Sequence, residues 1–210
     1  MSENAVGAGN QQETSMVIEG SSETTRQAPF SKQEAIAYLQ GALHDATFNK
    51  GKRFRFSQKG AEWLEALKNV FSLLGFNSWI YREGKTREVY VLETLARFLD
   101  FHFDPLQLKT EAEQSAYIRG FFDAEGGIPH SASASFYIQL VQNDRNKLRK
   151  IKVMLNRMDI ATGIIHNPSK KLHPEYWRMF VLQSGQRKFV KKIGTMHPRK
   201  LKLLRERMMI

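Results

Sequence analysis

From Ser31 onward the apolar residues recur with helical and strand periods, in an order that repeats. The first helix covers Lys32 to Ala46, and an alternating strand follows at Lys52-Arg53-Phe54-Arg55-Phe56-Ser57-Gln58. Trp63, Leu64, Leu67, Val70, Phe71 and Leu74 then recur at three- and four-residue spacing, which predicts an amphipathic helix closed by Gly75. Trp79-Ile80-Tyr81 and Val89-Tyr90-Val91-Leu92 flank Arg82-Glu83-Gly84-Lys85 and predict a hairpin, with a short helix from Glu93 to Asp100 behind it. A second helix over 112–125 opens the same series again. Phe136 to Gln142 is the strand, Asp144 caps a helix with Leu148, Ile151, Leu155 and Met158 inward, and Gly163-Ile164-Ile165 with Trp177 to Leu182 makes the next hairpin. Gly185 to Ile193 closes the series as a helix, and Leu203 to Ile210 is a basic tail.

The repetition extends to individual residues. Ala37-Tyr38-Leu39-Gln40-Gly41-Ala42-Leu43-His44-Asp45-Ala46 returns 79 residues later as Ala116-Tyr117-Ile118-Arg119-Gly120-Phe121-Phe122-Asp123-Ala124-Glu125. Ser31-x-x-Glu34 and Thr110-x-x-Glu113 precede the two copies as capping boxes. The order predicts an α+β protein of two αββαββα half-domains related by a pseudo-twofold axis, at 31–109 and 110–210. Residues 1–30 are rich in Ser, Gly, Gln and Glu, poor in large apolar side chains, and predict a disordered acidic tail.

Composition narrows the function. The 210 residues include no cysteine, which excludes disulfides, thiolate metal sites and cysteine nucleophiles and suits a reducing compartment. No apolar run approaches the roughly 18 residues of a membrane span, and no secretory signal opens the chain. The expected setting is therefore cytoplasmic or organellar. The chain carries +11 formally, and the first 29 residues carry −3, so the body holds +14. Such a body points to a polyanionic partner, nucleic acid before membrane.

The paired helices carry the chemistry. A mid-helix Gly costs about 1 kcal/mol unless close backbone approach offsets it, and Gly41 and Gly120 stand at the same point of both copies. Asp45, and Asp123 with Glu125, sit at helix C-termini against the negative end of the macrodipole and call for a cation. Mg²⁺, oxygen-ligated and content with one or two carboxylates plus phosphate and water, suits them.

Ile118-Arg119-Gly120-Phe121-Phe122-Asp123-Ala124-Glu125-Gly126 resembles the signature of the LAGLIDADG homing endonucleases, and 37–46 is a degenerate second copy. The resemblance covers about residues 31–195. It implies a monomer whose antiparallel sheets form a saddle over double-stranded DNA, with Asp45 and Glu125 as ligands of catalytic Mg²⁺ or Mn²⁺. It also implies double-strand cutting at a long pseudo-palindromic site, short 3′ overhangs and an intron-borne gene. Aligning the glycines sets Ala46, not Asp45, opposite Glu125, and His44 opposite Asp123. Two outcomes are open: the first helix ends early and brings Asp45 into the centre, or that half has lost its ligand.

Gln58 and Gln142 end equivalent strands, where the resemblance implies that a Gln orders water. Lys59 is the expected cation for charge developing on the phosphate. Arg53, Arg55 and Ser57 share one strand face with Phe54 and Phe56 on the other, so the basic face is expected to read bases. Ser135, Tyr137 and Gln139 hold the corresponding uncharged face in the second copy. Arg82, Lys85, Arg87 and Arg178 complete the expected DNA contacts. The competing function is a non-cleaving or nicking relative, either an RNA maturase acting on intron RNA or a DNA-binding regulator.

Overall fold

The computed structural model describes residues 30–84, 88–131 and 133–208; the expected tail, Lys85 and Arg87 lie outside the described residues. Helix α1 runs Lys32–Ala42 and helix α3 Glu111–Glu125. Both capping boxes form, Ser31 with Glu34 and Thr110 with Glu113, each Glu carboxylate accepting from the cap backbone N–H. The two helices pack side by side at the centre. A Cβ on Gly41 would collide with the carbonyl oxygen of Tyr117 and lie 2.8 Å from the Phe121 nitrogen. A Cβ on Gly120 would meet the Tyr38 carbonyl oxygen and lie 2.7 Å from the Ala42 nitrogen. These contacts are related by the same 79-residue shift, so the pseudo-twofold axis passes between the helices.

The first copy continues with β1 (Ala46–Asn49), β2 (Arg53–Gln58), α2 (Glu62–Leu73), β3 (Ser78–Glu83) and β4 (Val89–Thr94). Its antiparallel sheet has the order β1-β2-β4-β3. Phe54 and Phe56 turn inward against Trp63, Leu64, Leu67 and Phe71 of α2. The second copy supplies β5 (Gly126–Gly127), β6 (Ile138–Gln142), α4 (Arg145–Arg157), β7 (Trp177–Val181) and α5 (Gln183–Lys192), with the sheet order β5-β6-β7. Leu148, Ile151, Met154 and Leu155 of α4 complete a core continuous with the first.

Four expectations fail. The helix from Glu93 to Asp100 does not form: Glu93 and Thr94 finish β4, and the following loop is fastened by Gln40, which donates to the Phe98 carbonyl and accepts from the Asp100 amide. The Gly163-Ile164-Ile165 arm is no strand; it meets β7 only through isolated bridges at Thr162 and His166. The strand expected from Phe136 starts at Ile138, leaving Ser135 and Tyr137 ahead of it. The basic tail is helix α6, Pro198–Met208, which buries Leu204 and lies against the second copy through Arg207, donor to the carbonyls of Ser131 and Ala134.

Candidate nuclease centre and nucleic-acid face

Helix α1 ends three residues short of Asp45. Leu43–Asp45 tighten into a 3₁₀ turn and Ala46 is already extended, so Asp45 is swung off the helical frame. There the Gln58 amide, at the end of β2, donates to the Asp45 carboxylate. Helix α3 stays helical past the position equivalent to the end of α1, to Glu125. Burial, followed by the charge of Asp45, pushes Glu125 up to about 7. Burial likewise raises Asp45 to about 6, against the Gln58 hydrogen bond and the charge of Lys200. The out-of-frame Asp45 and the in-frame Glu125 are thus electrostatically one site.

The residues one step back are related by the same shift but differ in chemistry. Tyr38 donates to Asp123 at 2.8 Å, and Tyr117 pairs with His44 at 2.9 Å. Asp123 is fully enclosed, and it also accepts from the Thr195 hydroxyl and, at 2.9 Å, the Met196 amide. It therefore anchors the segment that leads into α6. Burial, followed by the charge of Lys147, drops His44 to about 3, so its imidazole is neutral.

Gln142 does not mirror Gln58. Its amide lies 3.2 Å from His44 Nδ1, and its oxygen accepts from the Asn143 amide at 2.8 Å. Lys59 is exposed at the end of β2. The half-buried cation at the centre is one that sequence reasoning missed: Lys200 of α6 donates to the carbonyls of Phe122 and Asp123, the last turn of α3. A positive charge there answers the helix dipole and the carboxylates together.

The wet face of the first sheet is an arginine–carboxylate lattice. Arg53, Arg55 and Ser57 stand on it as expected, and register brings Glu93 beside Arg55 and Trp79. Arg53 bonds Glu93 at 2.9 Å while lying over the Trp79 ring, Tyr81 donates to Glu93 at 3.1 Å, and Arg55 bonds Glu83. Arg82, paired with Tyr90, stands on the opposite face of the sheet from Arg53 and Arg55, near the hairpin tip. On the second sheet Gln139 and Arg178 share a face with Phe180, and Arg178 donates to His166 at 3.1 Å. Arg53→Ala and Arg55→Ala are expected to relax specificity at one base position each by about 1–3 kcal/mol, measured by competition against single-base variants of a bound duplex.

A family profile described as a LAGLIDADG-like domain matches residues 112–194. No curated relative matches the sequence. Among solved structures, I-DmoI in complex with DNA and Mn is 19% identical, at a TM-score of 0.59 over 78% of this chain and 98% of that one. Full-length DUF199/WhiA from Thermotoga maritima is also 19% identical, at a TM-score of 0.64 over 86% of this chain and 61% of that one. A structure of the N-terminal LAGLIDADG domain of WhiA gives 17% identity and a TM-score of 0.63, over 80% and 85%. The profile covers only the second copy, and at these identities the solved structures establish the LAGLIDADG fold for the body. The G20S variant of I-DmoI has also been solved with its target DNA in Mg, and I-DmoI with DNA and Ca.

The residues of the centre fit a divalent cation. Asp45 and Glu125 offer oxygen donors only, and each is held above its ordinary range by burial, a strain a 2+ charge relieves. Among the described residues no group of three or more His, Cys, Asp or Glu side chains gathers, so phosphate and water oxygens must complete any such coordination.

His197, at the entry to α6, stacks on Trp63 with ring centroids 5.7 Å apart, and burial, followed by the charge of Lys200, holds it at about 4. The unfolded chain takes up a proton near 6.5 that the folded one refuses. The contribution of His197 to stability is therefore full above pH 6.5 and is lost as pH drops toward 4. His197→Phe is expected to flatten that part of the profile in denaturant melts.

Proposed function

We propose that the protein is a site-specific DNA endonuclease that hydrolyses phosphodiesters with Mg²⁺ or Mn²⁺ on a long, pseudo-palindromic duplex. The observation that carries this reading is the 3₁₀ turn that places Asp45, with Gln58, in the same electrostatic centre as Glu125. Asp45 and Glu125 would hold the metal, which polarises the phosphate and activates a water when bound. Gln58, fixed on Asp45, orients that water. The basic sheet face carries Arg53 and Arg55 over base edges, and the two faces differ in charge, so the half-sites differ in sequence.

High-affinity duplexes selected from a randomised pool and cloned into a plasmid test the reading. The protein is expected to linearise the supercoiled plasmid in Mg²⁺. Nicking alone assigns cutting to one centre. No cutting in millimolar Mg²⁺ or Mn²⁺ overturns the nuclease and leaves a DNA- or RNA-binding regulator or maturase. That second reading draws on the likeness to WhiA and on Lys200, a built-in cation that lets the acidic centre stand without metal.

A further inference from the structure

Lys200 follows the last helix of the repeated series, yet its ammonium lies at the shared centre of the two copies. Two of its three N–H groups are spent on the carbonyls of Phe122 and Asp123, the latter at 2.8 Å, and the ammonium also lies 5.0 Å from the centroid of the Phe122 ring. Among the described residues no carboxylate oxygen comes within 4.0 Å of it, although Asp45, Asp123 and Glu125 all act on its charge. A half-buried cation without a contact ion pair is costly unless something else uses the charge. Beside it opens a cleft of about 220 Å³ whose lining includes Gln58, Asp123, Gly126, His197, Arg199 and Lys200. That is well beyond the ~10–15 Å³ that a single water needs. The cleft joins the water-orienting glutamine to two cations.

We infer that Lys200 is the phosphate-facing cation of this centre, delivered from the C-terminal helix, in the role the strand-end Lys59 was expected to fill. The inference rests on the nuclease reading above for its chemistry, but not for its phosphate contact. The delivery has a visible cause. Asp123 takes the Thr195 hydroxyl and the Met196 amide, which fixes where α6 begins, and Leu204 and Arg207 fix where it lies. Lys200, two residues into that helix, is thereby carried under the end of α3, its remaining N–H available to a phosphate oxygen in the cleft. Charge that builds on the phosphate during attack then meets a donor already in place and already stripped of water.

Lys200→Met, Lys200→Gln and Lys200→Arg separate this role from capping of α3, because Gln keeps a donor for the carbonyls without the charge. Each is measured for thermal midpoint, for the salt dependence of binding to a selected duplex in Ca²⁺, and for single-turnover cutting in Mg²⁺. Removing one phosphate contact lowers the slope of log K against log salt by about 0.9. Met and Gln are expected to show that loss with cutting about 10²–10³-fold slower, and Arg to restore the slope and part of the rate. Should Met fail to fold, Gln and Arg decide. An unchanged slope with Gln overturns the inference, whatever the wild type cuts. A lost slope with a wild type that cuts nothing sustains the phosphate contact and removes the nuclease reading alone.

Discussion

Replacing Gly41 or Gly120 with alanine is expected to destabilise the protein by about 3 kcal/mol or more, the upper end of what core overpacking costs. The added methyl meets backbone rather than a flexible side chain: the Tyr117 carbonyl and Phe121 amide for Gly41, the Tyr38 carbonyl and Ala42 amide for Gly120. Backbone within a capped helix cannot step aside alone, so the helices must separate. Separation loosens Tyr38 from Asp123 and Tyr117 from His44, which lie one turn further along the same seam. Each variant should thus lose DNA binding and thermal stability together. Gly75→Ala is a useful contrast: it carries a positive φ of 78° but meets nothing within 4 Å, so it strains one residue and leaves the seam intact. A Gly120→Ala protein that melts like the wild type would show that the two helices are not in backbone contact.

The seam was legible because its requirements are local. A small residue at the crossing, a capping box at the start and a carboxylate near the end can each be read from short spacing, and the 79-residue repeat tied two such sets together. The alternation of Arg53, Phe54, Arg55 and Phe56 gave the two faces of β2 for the same reason. What the spacing could not show was partner choice. Gln58 and Gln142 are equivalent in the chain, yet Gln58 finds Asp45 while Gln142 finds His44. Glu93 reads as the start of a helix until Arg53 and Tyr81 from two neighbouring strands draw it into the sheet.

Lys200 is the clearest case of information that sequence hides. It belongs to a run in which Arg199, Lys202, Arg205 and Arg207 are also basic, the composition of a solvated tail. Its burial depends on a contact made by Asp123, more than seventy residues earlier, with the backbone of Met196. The signal that could have pointed to it was the imbalance at the end of α3, where Asp123 and Glu125 face the helix dipole with no basic residue in the last turn. A missing countercharge says that a cation comes from elsewhere, though not from which element.

The carboxylates themselves give the other large effect. Asp45→Asn and Glu125→Gln should each cost about 3 kcal/mol or more of transition-state stabilisation on the strand they serve, roughly a hundredfold or more in single-turnover rate. Both substitutions keep shape, and an asparagine at 45 can still accept the Gln58 amide. Each also removes one of two like charges held in a buried centre, so the thermal midpoint should stay level or rise, the reverse of what loss of a structural contact does. The pattern sought is a plasmid that the wild type linearises and each variant only nicks, on opposite strands, with binding in Ca²⁺ unchanged. If Asp45→Asn cuts both strands at the wild-type rate, the 3₁₀ turn places a carboxylate that chemistry does not use, and Glu125 works alone. If both variants melt earlier as well as cutting slower, the acids hold the fold and the metal assignment falls.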